Sequence, residues 1–196
     1  MKTTGRYIKR IVPLLLALML LLGACGEANT AKEAVDGFTA GLKSHDYRKA
    51  MKFVYERDSM TFAGNTETIM NNVCDSLNVN IVSDNASSIT VSVTTIDLRQ
   101  IYANAVKAVI NEYYNKALSG ETVTDGELRA AIETKAAELS GSEKAATITS
   151  QVDLNMRTDN GKWFIELDAN TYNVFTGYMT SANDMMTDGE ILTYGN

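Results

Sequence analysis

Three carboxylates near the end of the chain, Asp153, Glu166 and Asp168, have residue types and a spacing suited to proton or cation chemistry. They flank the pair Asn160-Gly161, the preferred dipeptide of a two-residue type I′ hairpin, because both turn positions need positive φ. In the register that this turn sets, Asp153 lies opposite Asp168, with Glu166 on the same face. Like charges directly across a strand pair are destabilising. Such a pair either shares a proton or a cation, or lies where the pairing has frayed and the face is solvated. A buried member with a raised pKa would be a general base. Other chemistry is sparse. His45 is the only histidine, and it reads as a solvated residue in a turn between helices. Cys74 falls beside Met70 and Leu77 on a helical face and reads as a small buried hydrophobe. A nucleophilic thiol needs an activating base, and the sequence identifies none. No zinc-ligand spacing, Gly-rich phosphate loop, nucleophile elbow or calcium loop is visible, so neither a metal nor a cofactor is implied. Tyr113-Tyr114 and Met185-Met186 could line a pocket, but at helical spacing they read first as core.

The other cysteine, Cys25, sits in a different context. Lys2, Arg6, Lys9 and Arg10 precede an apolar run over residues 11–22, and the first acidic residue is Glu27. This is a charged region followed by an apolar region of signal-peptide length, too short for a membrane span of about 20 residues. The run ends in Leu22-Gly23-Ala24-Cys25, which resembles a lipobox. The resemblance to bacterial lipoproteins implies cleavage between Ala24 and Cys25 and a diacylglyceryl group on the Cys25 thiol. The alternative is a plain secretory signal, cut nearby, that leaves a free thiol. Two acyl chains hold a protein where one gives only marginal binding. Residues 26–29 then form the tether to the first helical pattern, a reach of roughly 14 Å at about 3.5 Å per residue.

Composition narrows the classes. Of 18 Lys and Arg, four leave with the leader, so 14 face 24 Asp and Glu in residues 25–196, a net charge of −10. This excludes nucleic acid as a partner, because that binding depends on basic groups neutralising phosphates. It also leaves membrane attachment to the covalent lipid. With Cys25 lipidated, Cys74 has no partner for an intramolecular disulfide. The 172 residues from Cys25 onward suit one domain.

Several elements must position these groups. Thr30 and Glu33 form a capping box for a helix that buries Ala31, Val35, Phe38 and Leu42. Asp46 caps a second helix with Tyr47, Ala50, Met51 and Val54 inward, and a third runs over residues 66–77. The period then changes to two strands, 79–83 and 88–96, with a turn at Asp84-Asn85. Ile89, Val91 and Val93 alternate with hydroxyl residues, as in a sheet packed on one side. Asp97, with Gln100 three residues on, opens a long helix with a buried stripe of Leu98, Ile101, Tyr102, Ala105, Val109 and Tyr113. Thr124 and Glu127 cap its partner, which ends at Gly141, giving an αα-hairpin over 97–139. The strands around Asn160-Gly161 pair Thr158 with Trp163, Met156 with Ile165 and Leu154 with Leu167. A C-terminal helix over 171–186 and an irregular tail follow.

This order resembles the nuclear-transport-factor-two-like, or cystatin-like, domains of many bacterial lipoproteins. The resemblance rests on Val35, Phe38, Leu42, Asp46-Tyr47 and Ala50, then on Ile89-Thr90-Val91-Ser92-Val93 and Gly161-Lys162-Trp163-Phe164-Ile165. It covers residues 31–96 and 145–168. It implies an α+β fold, a curved antiparallel sheet packed against N-terminal helices as a cystatin-like roll, often with an internal pocket. The helical hairpin is an insertion relative to that plan. No catalytic signature comes with the resemblance. The expectation is therefore a single domain, 30–196, behind a signal peptide (1–24) and a lipidated tether (25–29). It would be anchored at the extracytoplasmic face of a membrane, on a Gram-positive cell surface, and would bind a small ligand or a partner protein without catalysis. Two alternatives stand beside it. One is an enzyme using Asp153, Glu166 or Asp168 as a buried base. The other is a structural or interaction protein of the cell envelope that packs through the 97–139 hairpin, for which an exposed apolar stripe would be the sign.

Overall fold

The computed structural model describes residues 28–56, 60–85 and 87–188. The leader, the Ala24-Cys25 junction and the tail beyond residue 188 lie outside the described residues. The elements are α1 (Ala31–Lys43), α2 (Tyr47–Ala50) running into a 3₁₀ turn (Met51–Phe53), α3 (Asn65–Ser76), β1 (Asn78–Asn85), β2 (Ser88–Ile96), α4 (Leu98–Leu118), α5 (Asp125–Ser140), β3 (Thr147–Asp159), β4 (Lys162–Glu166), α6 (Ala169–Phe175) and α7 (Met179–Asp188).

The four strands form one antiparallel sheet in the order β1-β2-β3-β4. Each strand therefore neighbours the next in sequence, and α4 and α5 are an excursion between the adjacent strands β2 and β3. One face of the sheet is apolar. Ile89, Val91 and Val93 of β2, Val152, Leu154 and Met156 of β3, and Ile165 of β4 are buried. The N-terminal helices cover that face with Val35, Phe38 and Leu42 of α1 and Ile69, Met70, Val73 and Cys74 of α3. The fold is thus α+β with helices over an antiparallel sheet.

Local chemistry sets most of the boundaries. The Thr30 hydroxyl accepts from Glu33 N–H at 3.1 Å, and the Glu33 carboxylate accepts from the backbone of Asn29, one residue before the position a capping box uses. Asp46 accepts from Lys49 N–H and starts α2. Thr124 and Glu127 make the full reciprocal box at the head of α5. Asn160 and Gly161 both take positive φ, 48° and 75°. Thr158 pairs with Trp163 and Met156 with Ile165, as the turn requires.

Three expectations are corrected. β1 does not turn at Asp84-Asn85: it continues through both, pairing Asn85 with Ser88. A bulge at Val82 lets it run on, because the register shifts by one residue between Ile81 and Ser83. Asp97 is capped differently from a Ser/Thr box: its carboxylate accepts from Arg99 N–H and from the Arg99 guanidinium at 2.8 and 2.9 Å, while Gln100 turns to Asn104. The C-terminal helix is two helices. Gly177 and Tyr178 both lie in the left-handed region, φ 64° and 63°, and split it.

The break is fixed by what surrounds it. The Gly177 carbonyl accepts Leu98 N–H at 2.9 Å, the Tyr178 hydroxyl meets Ser150 Oγ at 2.6 Å, and the Arg99 guanidinium stacks 3.9 Å from the Tyr178 ring centroid. A Cβ on residue 177 would lie 2.6 Å from the Ile96 carbonyl oxygen. Left-handed backbone at a non-glycine costs about 1–3 kcal/mol before that clash. Gly177→Ala is therefore expected to lower the Tm by roughly 5–10 °C in a thermal melt. Gly161→Ala has nothing within 4 Å of its Cβ and should cost only the backbone strain, about 1–2 kcal/mol.

Candidate functional site

The structure separates the three carboxylates. Pairing of β3 with β4 ends at Asn155–Glu166, so Asp153 and Asp168 do not face each other across a ladder. Asp153 pairs instead with Thr90 of β2, whose hydroxyl donates to it at 2.6 Å. Glu166 accepts from Arg157 at 3.3 Å, in an exposed pair. Asp168 is the N-cap of α6 and accepts from Thr171 N–H at 2.7 Å. That bond holds its carboxyl below the usual carboxylate range, the opposite of what a general base at neutral pH requires. The chain leaves the sheet because Asp168 satisfies the first turn of a helix better than it would satisfy a strand facing a second aspartate. Of the two alternatives for Asp153 and Asp168, a shared site or a pairing that frays before them, the structure has the second.

His45 does more than sit in solvent. It adopts φ 56°, and its Nε2 lies 2.9 Å from Asp75 Oδ1 of α3, tying the α1–α2 turn to that helix. Cys74, the next residue on α3, is fully buried. Burial pushes its thiol up to about 11, only partly offset by a hydrogen bond with Tyr47. Burial likewise raises the Tyr47 hydroxyl, which donates to Asn71 at 2.7 Å. His45 is thus engaged by Asp75, and Cys74 is a protonated, inert thiol at neutral pH. Among the described residues no three His, Cys, Asp or Glu side chains converge on a position that would hold a metal ion.

The cavities are surface depressions between elements. One of about 340 Å³ lies between the 3₁₀ turn and α6 and includes Met51, Tyr55, Leu167, Asp168 and Tyr172. A second, about 380 Å³, is polar and is bordered by Tyr102, Arg129, Glu133, Asn183 and Met186. Burial and the nearby Glu133 raise the Tyr102 hydroxyl to about 12. Of the paired residues expected to be core or pocket, Tyr102's neighbour Met186 borders this depression and Met185 is half-buried against the core.

The helical hairpin carries the most distinctive surface. The root of α4 is buried at Leu98, Ile101, Tyr102, Ala103, Ala105 and Val106. Beyond Val106 the apolar pattern continues while the cover stops. Four large apolar side chains are exposed among the described residues, and three of them, Ile110 (37%), Tyr114 (63%) and Leu118 (69%), stand four apart on α4. That spacing places them in one stripe. Tyr113, expected inward, is only half-buried; it donates to the Glu127 carbonyl at 3.3 Å and borders a shallow groove of about 440 Å³ with Val109, Ala130 and Ala131. Salt bridging between Glu112 and Lys116 and the Thr124–Glu127 cap keep the far end helical. The stripe was missed in sequence because its residues lie one step around the helix from the expected buried series. The available signal was an apolar pattern too wide for a single face.

No family model matches this chain, and no curated protein or solved structure matches it.

The buried thiol gives a pH test. The folded Cys74 pKa of about 11 lies above the ordinary value of 9.0, so its contribution to stability is full below pH 9 and is lost as pH rises towards 11. A thiol reagent at pH 7.5 is expected to label Cys74 only at the rate of unfolding. In alkaline titration, Cys74→Ala should lose less stability between pH 9 and 11 than the wild type.

Proposed function

We propose that this protein is a lipid-anchored extracytoplasmic domain that binds a partner protein through the α4–α5 arm and performs no catalysis. The observation that carries the reading is the exposed Ile110-Tyr114-Leu118 stripe on a helix that is buried at its root. Exposed contiguous apolar surface on a soluble domain marks interaction sites. Aromatic residues are favoured there because they supply large contact area at low entropy cost. The carboxylate set has dissolved into a cross-strand hydrogen bond, an exposed ion pair and a helix cap, so the enzyme alternative loses its base. The depressions offer a small ligand no enclosed apolar chamber among the described residues, which leaves the partner-binding form of the expectation best supported.

The anchor belongs to the same proposal. It is supported by the basic start, the apolar run and Leu22-Gly23-Ala24-Cys25. The short tether favours a Gram-positive cell surface, with the domain close to its own membrane. The finer fold reading, a cystatin-like roll with an inserted helical hairpin, is supported by helices α1 to α3 preceding and covering an antiparallel β1-β2-β3-β4 sheet.

Two experiments test the two halves. Cys25→Ala is expected to abolish lipid attachment, with the uncut precursor mass retained. A photo-cross-linking residue at position 114, introduced in cells, should give one discrete heterologous adduct. Ile110→Asp with Leu118→Asp should remove that adduct while changing stability by no more than about 0.5 kcal/mol per site, as exposed positions do. No adduct, or an adduct of the protein with itself alone, would overturn the partner reading.

A further inference from the structure

Only Gly26 and Glu27 stand between Cys25 and Ala28, and Ala28 already belongs to the folded body. It is 2% exposed, and its carbonyl accepts Trp163 N–H at 3.0 Å. The next residue reinforces the attachment: Asn29 Oδ1 accepts from Lys162 Nζ at 2.9 Å, and Asn29 N–H donates to Glu33 at 2.8 Å. The chain therefore enters the domain pinned against the outer edge of β4, two residues past the Asn160-Gly161 turn. The free tether is shorter than the sequence indicates. From Cys25 to Ala28 there are three Cα–Cα steps, a reach of about 10 Å at full extension.

A reach that short fixes which part of the domain meets the lipid. We propose that the Asn160-Gly161 end of the sheet, with Lys162 and Trp163, lies against the phospholipid headgroups and that the domain stands on this end. The inference rests on the lipid-anchor reading and adds an orientation to it. Trp163 is half-buried and carries an amphipathic ring of the kind that settles at headgroup level. The arm attaches at the opposite end of the same sheet, where Ile96 pairs with Thr147. β3 runs from Thr147 to Asp159, a rise of about 40 Å at roughly 3.3 Å per residue. The root of the partner-binding arm is thereby held that far from the anchored end.

Trp163 is the only tryptophan in the chain, so it reports on this contact without mutation. The lipid-modified protein would be reconstituted into phosphatidylcholine–phosphatidylglycerol vesicles, with and without brominated acyl chains. Its Cys25 peptide would be checked by mass for the diacylglyceryl group. The bromolipid is expected to quench Trp163 at least about threefold more than the tryptophan of a Trp163→Phe, Thr147→Trp variant, since exposed Thr147 stands about 40 Å along β3 from Asp159. A ten-residue Gly-Ser insertion between Gly26 and Glu27 should reduce the Trp163 quenching in an otherwise unaltered protein. Equal quenching at both positions means a domain lying flat. Quenching at neither, or more at residue 147, means that a different surface faces the lipid. Each of these, with the lipid confirmed on Cys25, overturns the orientation alone. A Cys25 peptide without the diacylglyceryl mass overturns the anchor reading and the orientation with it.

Discussion

Hydrogen bonding along the outer edge of β4 decides where the N-terminal half of the chain lies. A five-residue edge strand presents outward N–H and C=O groups that must find partners or water. Here they find the chain's own earlier segments. Trp163 N–H is taken by Ala28, the Ile165 carbonyl is taken by Tyr55 N–H at 2.9 Å, and Val54 bridges Ile165 in parallel. These contacts lie on either side of α1 and α2 in sequence, so closing the edge also clamps both helices onto the sheet. Phe38 can then meet Phe175 edge-on at 5.2 Å, and Ile165 disappears completely from solvent.

The opposite end of the sheet is organised around a largely buried carboxylate. Asp97 is 8% exposed, and burying a charge is costly unless it is paired and hydrogen-bonded. The Arg99 guanidinium meets it with two bonds and stacks on Tyr178, whose hydroxyl reaches Ser150 of β3. Asp97 N–H donates to Ala146 and Leu98 N–H to Gly177. One joint therefore connects the end of β2, the start of α4, the approach to β3 and the break between α6 and α7. An arm that leaves the body for much of its length needs such a footing. Full burial is confined to its first three turns, at Leu98, Ile101, Tyr102, Ala103, Ala105 and Val106.

Much of this architecture was legible in sequence because the signals were local. Asn160-Gly161 set the β3–β4 register, Thr124 and Glu127 marked the head of α5, and the alternation of Ile89, Val91 and Val93 identified the buried face of β2. The failures came where two local rules competed or where a partner was distant. The hairpin register correctly placed Asp153 and Asp168 at equal offsets from the turn, but Asp168 is also a strong N-cap residue, and the helix took it. Gly177 was a legible helix stop, yet a single helix over 171–186 was expected, and the break shows only with Gly177 and Tyr178 both in the left-handed region. Asp97 was recognised as a cap. Its role as a joint depended on Ser150 and Tyr178, some 50 and 80 residues away, and no local pattern carries that. The exposed stripe on α4 left a sign in the sequence, an apolar pattern too wide for one face, but which part of that width is uncovered depends on where the body lies.

The bulge at Val82 has a consequence for crowding. With β4 closed by Ala28 and Val54–Tyr55, β1 is the sheet edge left open among the described residues. Crowding makes copies of a protein collide often. A flat, regular β1 would let two copies zip together edge to edge. The extra residue interrupts the row of donors and acceptors midway and twists the strand, so an incoming strand could match one half of β1 or the other, but not both in a single register. The bulge thus keeps each copy's sheet its own wherever copies crowd together.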